Sequence, residues 1–155
     1  MIHSKIRDIV ARYVEVNSSL NRSFSHLLRL VTGDALTPEQ FVTMCHIQKS
    51  GACTSSQLAD EFGVKRSAIT SIVNRLFEKE LVRRTIDPKD RRTTYLTLTE
   101  QGDSVCTEMN EKLYTFIQPV IHEFEDEEIN TFLKNLERLS VLIGGITKDQ
   151  EKVRE

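Results

Sequence analysis

Residues 54–99 read TSSQLADEFGVKRSAITSIVNRLFEKELVRRTIDPKDRRTTYLTLT, and this stretch decides the fold. Thr54-Ser-Ser-Gln57 has the form of a capping box, in which a threonine hydroxyl and a glutamine amide satisfy orphan backbone N–H groups reciprocally. Leu58, Ala59 and Phe62 give the short helix behind it an apolar face, and Gly63 supplies the left-handed residue that ends it. A second helix is expected over Lys65–Glu80. Val82–Ile86 and Thr93–Leu98 then have the composition of strands, with alternation clearest over Tyr95–Thr99. Asp87-Pro88 turns the chain between them. Helix, turn, helix and basic hairpin in that order predict a winged helix-turn-helix.

On a helical wheel Ile69, Ile72, Val73, Leu76 and Phe77 form one stripe and are expected to pack inward. Ser67, Thr70, Ser71, Asn74, Arg75 and Glu78 fall opposite it or on its flanks. Small hydroxyls let a helix approach the major groove closely, and amide and guanidinium groups match base edges. Arg75 is the best candidate for a guanine or, failing that, a phosphate. Lys65 and Arg66 in the first turn are placed for phosphates beside the helix N-terminal amides. At the hairpin tip, Lys89, Arg91 and Arg92 can straddle phosphates or enter the minor groove. Asp90, two residues before Arg92, can hydrogen-bond its guanidinium and hold it extended. An amphipathic surface helix and a solvated charged turn would each explain one piece; their succession favours DNA.

The distribution of charge agrees. The 155 residues carry a formal net charge of −2, which says nothing of nucleic acid. Yet residues 65–92 hold nine basic and four acidic side chains, so this segment is +5 and the remainder −7. A positive patch on an acidic body attracts phosphate at one face only. With 39% hydrophobic and 28% charged residues and no low-complexity tract, the chain is expected to be globular. Lys5, Arg7, Asp8 and Arg12 leave no apolar core for a signal peptide, and nothing approaches a membrane span. Three cysteines, Cys45, Cys53 and Cys106, are an odd number without a C-x-x-C spacing, which fits reduced thiols in a cytoplasm.

Outside the central stretch the pattern is helical. Apolar residues recur at helical spacing from Ile6 to Val31, with Asn17 in the seam, until Gly33-Asp34 breaks it. Thr37-Pro-Glu-Gln40 starts a helix that runs to about Ser50 and stops at Gly51. Thr99, followed by Glu100, caps another, carrying Val105, Met109, Leu113, Phe116, Ile117, Val120, Ile121 and Phe124, with a bend expected near Thr115–Pro119. The acidic cluster Glu125–Glu128 opens a last helix, and a frayed tail is expected over 148–155. These long apolar helices exceed what a lobe of about sixty residues can bury, so residues 1–33 and 100–147 read as a dimerisation region around a DNA-binding lobe at 34–99. A two-fold pair would set its reading helices one DNA turn apart, ~34–36 Å, on a pseudo-palindromic operator.

Leu58-Ala-x-x-Phe62-Gly-Val, Leu76-x-x-Lys-x-Leu-Val-x-Arg84, Asp87-x-x-Asp-Arg-Arg92 and Leu96-Thr-Leu-Thr-Glu-x-Gly102 together resemble the MarR family of bacterial regulators. The wing and the Leu-Thr-Glu-x-Gly run are the specific part. The resemblance implies an obligate homodimer, a recognition helix at Lys65–Glu80, and a wing arginine at Arg92 partnered by Asp90. One departure stands out: the family's usual glycine before the Leu-Val pair is Glu80 here. The resemblance also implies a repressor relieved by a ligand, often a small aromatic or phenolic compound held between dimer helices and winged lobe. Tyr13, Phe24, His26, Met44 and His46 could line such a crevice, though core or surface packing accounts for each.

Members that sense organic hydroperoxides use a cysteine near the start of the first helix, and this chain has none there. Cys45, Cys53 and Cys106 read as inert small hydrophobes rather than sensors. Cys45-His46 with His26 or His122 lacks zinc-site spacing, so no metal is expected, and no cofactor. No phosphate loop or nucleophile–base spacing points to an enzyme. The competing readings are a winged-helix protein-interaction module, or a redox- or metal-responsive regulator of the same fold.

Overall fold

The computed structural model describes residues 2–152, with side-chain surroundings over 5–146. Six helices and one hairpin follow in the order α1 Ile2–Thr32, α2 Pro38–Ser50, α3 Ser55–Phe62, α4 Arg66–Glu78, β1 Val82–Ile86, β2 Thr94–Leu98, α5 Glu100–Ile121 and α6 Asp126–Lys152. The fold is mainly α with a two-stranded wing.

Local chemistry sets the boundaries. Thr37 and Thr54 cap α2 and α3 through complete capping boxes: Gln40 N donates to Thr37 Oγ1 and Thr37 N to Gln40 Oε1, and Gln57 repeats both bonds with Thr54. Each box stabilises its helix start by about 1 kcal/mol. At the end of α3, Gly63 adopts φ 61°, with Gly63 N donating to Asp60 O and Val64 N to Ala59 O. The end of α4 has the same geometry without a glycine. It stops at Glu78, two residues short of the expected end, because Glu80 turns left-handed at φ 58°. Glu80 N donates to Phe77 O and Leu81 N to Leu76 O, satisfying the last carbonyls as glycine-ended helices do.

The chain divides into two compact units, residues 1–113 and 114–155. The first contains one core, built from Phe41, Met44 and Ile47 of α2, Leu58 of α3, Ile69, Val73 and Leu76 of α4, and Leu81, Val82 and Leu96 at the hairpin. Leu28 and Val31 of α1, and Cys106 and Met109 of α5, are buried in it too. The core of this unit therefore draws on the end of α1 and the start of α5 as well as on residues 34–99. The rest of α1 is apolar and exposed at Ile6, Ile9, Val10, Val14, Leu20 and Phe24.

Gly102 explains the Leu-Thr-Glu-x-Gly run. Thr99 Oγ1 accepts from Gly102 N at 2.9 Å and donates to Glu80 O at 2.7 Å, while Thr99 N donates to Leu81 O at 3.1 Å. This lashes the first turn of α5 to the end of α4. A Cβ at residue 102 would lie 2.0 Å from the Leu81 carbonyl oxygen, so only glycine permits the approach.

In the second unit, the end of α5 and α6 expose Phe116, Val120, Phe124, Phe132, Leu133, Leu136 and Ile143. Pro119 lies in the last turn of α5, which continues past it to Ile121. Of the tail expected over 148–155, residues 148–152 continue α6 as helix. Residues 153–155 of that expected tail lie outside the described ones.

Candidate nucleic-acid interface

The interface begins with α4. Ile69, Val73 and Leu76 are fully buried and Ile72 packs against them, which fixes the rotation of the helix on the lobe. Ser67, Thr70, Ser71 and Asn74 are then left exposed on the opposite face. Thr70 Oγ1 donates to Arg66 O within the helix, leaving its oxygen lone pairs outward. Lys65 occupies the N-cap position, and no side chain caps the first turn, so the cationic Lys65 and Arg66 flank uncapped amides. Arg75 is exposed on the flank of α4, where it lines a hollow with residues 33–37 of the α1–α2 loop, Glu78 and Lys79. Lys79 donates to Ala35 O at 2.9 Å in that hollow.

Phe77 departs from the expected inward stripe. It is 48% exposed, because the core ends at Leu76 and the ring emerges on the hairpin side. Arg84 of β1 covers it, with its guanidinium carbon 5.0 Å from the ring centroid, and donates to Asn74 Oδ1. Sequence reasoning missed this role of Arg84; the one available signal was its fixed place after the Leu-Val pair.

The wing is a regular antiparallel hairpin with Val82 opposite Leu98 and Ile86 opposite Thr94. Arg83 Nε donates to Thr97 Oγ1 across it. Its base is pinned by a further bridge: Cys53 and Leu96 exchange backbone bonds of 3.2 and 2.7 Å, tying the residue before the α3 cap to β2. At the tip, Asp90 organises the turn. Oδ1 accepts from Arg92 N at 3.1 Å and Arg92 Nε at 3.4 Å, and Oδ2 accepts from Thr93 Oγ1. These bonds, the Arg92 backbone N–H first, hold the Asp90 carboxyl below its usual range. Arg92 itself projects with 95% of its side chain exposed, and Lys89 and Arg91 are exposed beside it.

The five residues singled out for an effector are scattered. Tyr13, Phe24 and His26 are exposed on α1, Met44 is fully buried in the core, and His46 packs edge-on against Phe62. Among the described residues, no three His, Cys, Asp or Glu side chains converge as a metal site, and no helix is long and apolar enough to cross a membrane.

A model of the MarR family matches residues 36–94, which span α2 to the wing. An uncharacterised HTH-type transcriptional regulator of Bacillus subtilis, YsmB, is 32% identical over 105 residues, covering 68% of this chain and 72% of that one. The chain belongs to the MarR family. This MarR-family protein is a transcriptional regulator with a winged helix-turn-helix. It is also 36% identical over 77 residues, half of each chain, to the B. subtilis HTH-type transcriptional repressor MdtR. Its fold is that of a mutant E. coli MarR crystallised with operator DNA, at a TM-score of 0.74 and 22% identity over 84% of this chain and 94% of that one.

Proposed function

We propose that this regulator acts as a homodimer on a pseudo-palindromic operator, with α4 in the major groove and the wing in the minor groove of each half-site. The observation that carries the reading is the pairing of two exposed elements through Arg84. The hydroxyl and amide face of α4 and the Arg92 tip belong to one compact unit, and the segment 65–92 that carries both is +5. Ser67, Thr70, Ser71 and Asn74 meet bases, with Arg75 at their flank. Lys65, Arg66, Lys89 and Arg91 meet phosphates, and Arg92, held by Asp90, enters the minor groove. The operator-bound neighbour of like fold supports this assignment.

Exposed apolar surface supports the dimer. Within the first unit, α1 exposes a row of aliphatic residues and Phe24; within the second, α5 and α6 expose Phe116, Phe124, Phe132 and Leu133. Contiguous apolar faces of this kind mark protein contacts. Residues 1–33 and 100–147 supply the pairing of two copies in this reading. The regulator represses, as MdtR is named to do, and a small aromatic effector relieves repression; Tyr13, Phe24 and His26, exposed along α1, are the residues left to meet it. Its place of action is the cytoplasm, where the operator lies.

Selection of bound fragments from random double-stranded DNA, followed by binding measured across salt concentrations, tests the proposal. A palindromic consensus bound by two chains, with affinity falling steeply as salt rises, is the expected result. Recovery of no preferred sequence, with a protein partner captured through Arg91 and Arg92 instead, would replace it with a protein-interaction role.

A further inference from the structure

Sixty-one residues apart in sequence, Cys45 of α2 and Cys106 of α5 face each other with Sγ atoms 3.6 Å apart. Both lie in the first compact unit. A polar cage surrounds the two sulfurs. Cys45 Sγ donates to Asn110 Oδ1 at 3.5 Å, Cys106 Sγ donates to Gln48 Oε1 at 3.4 Å, and Asn110 Nδ2 donates to Cys106 Sγ at 3.7 Å. Gln48 is itself anchored, its Nε2 donating to Asp103 Oδ1 and Thr107 Oγ1. The thiols also differ: Cys45 is half-buried, whereas Cys106 is fully buried.

The geometry points to Cys45 and Cys106 as a reversible dithiol, oxidised by hydroperoxides to a disulfide within one chain that ties α2 to α5. Once Cys45 ionises, the Cys106 thiol can turn to donate to it, which lowers the Cys45 pKa and raises that of Cys106. Cys45, the half-buried and therefore reachable thiol, is the attacking thiolate, and the fully buried Cys106 is the resolving thiol. The Cys45 thiolate attacks the distal oxygen of the hydroperoxide. The O–O bond breaks, the leaving alkoxide takes a proton from solvent, and Cys45 becomes a sulfenic acid. Cys106 then gives up its proton and attacks the Cys45 sulfur, the S–O bond breaks, and water leaves. Two thiols lose two electrons and one hydroperoxide gains them, yielding an alcohol and water. The sulfurs must close from 3.6 Å to ~2.05 Å, which draws the two helices together. Cys53 is excluded: it sits in the Leu96 bridge, and burial pushes its thiol pKa up.

This chemistry stands whether or not the lobe binds DNA. The test treats the reduced full chain with cumene hydroperoxide, then counts free thiols and maps peptides without reduction. The expected result is loss of two of the three thiols, a Cys45–Cys106 crosslink in a chain of monomer mobility, and full recovery with dithiothreitol. Cys53→Ser is expected to leave the crosslink unchanged, and Cys106→Ser to trap Cys45 as a sulfenic acid that dimedone labels. Retention of both thiols after Cys53 has reacted, a crosslink between chains, or Cys45 carried to sulfinic acid beside a reduced Cys106 in the unaltered chain would overturn it.

Discussion

Arg84 reaches back from the first strand of the wing to the recognition helix and donates to Asn74 Oδ1. The same guanidinium lies over Phe77, so one side chain links the two elements proposed to contact DNA. Arg84→Ala removes an exposed cation–π contact of about 0.5–1 kcal/mol, a modest stability cost. Its effect on DNA affinity is expected to exceed that cost, since both the link between the two elements and the hold on Asn74 are lost. Denaturation and binding measured on one preparation separate the two quantities.

Glu80→Gly is expected to stabilise the protein. A glutamate at φ 58° bears a left-handed penalty of about 1–2 kcal/mol that glycine lacks. Greater freedom of glycine in the unfolded chain offsets about 0.4–1 kcal/mol of that gain. The balance is a rise of up to about 1.6 kcal/mol, read as a higher denaturant midpoint at unchanged slope.

Gly102→Ala is expected to act in the opposite sense and more strongly. The added methyl meets the Leu81 carbonyl, and backbone cannot move aside as a side-chain tip would. A loss of about 2–3 kcal/mol is expected from overpacking. Thermal unfolding checks it, and an unchanged midpoint would show that the end of α4 can shift away from α5.

Arg92→Ala is expected to leave stability unchanged, because the side chain is almost wholly exposed. If Arg92 neutralises one phosphate per half-site, the slope of log affinity against log salt falls by about 0.9 per subunit. A slope equal to that of the unaltered protein would remove Arg92 from the DNA contacts.

The wing tip also has a pH dependence of definite sign. Asp90 has a pKa lowered by the Arg92 N–H and Thr93, so its ordering of the tip is complete above the ordinary carboxylate range. The order is lost as pH falls through the lowered value, and persists at mildly acid pH where unperturbed carboxylates have begun to titrate. Amide chemical shifts of Arg92 and Thr93 followed from neutral to strongly acid pH check this, and Asp90→Asn is expected to flatten the profile.

Short-range chemistry was legible in the sequence and long-range contacts were not. The boxes at Thr37 and Thr54, the Gly63 stop and the two strand-like runs joined by a turn all follow from residues within a few positions of one another. The polar face of α4 was legible because Ile69, Val73 and Leu76 fix its rotation. Phe77 was misplaced because a wheel assigns sides by hydrophobicity and cannot tell where the core ends along a helix. Arg84 over that ring, the Cys53–Leu96 bridge and the Cys45–Cys106 pair depend on tertiary approach and leave no periodic trace. Glu80 was visible as an oddity; its left-handed backbone required coordinates.

The Cys53–Leu96 bridge has a mechanical consequence. Because the strand is stitched to the corner between α2 and α3, the hairpin cannot swing free of the helices. A signal that weakens the grip on an operator must therefore tilt the entire reading head, as a hand turns with its wrist, instead of folding one finger away.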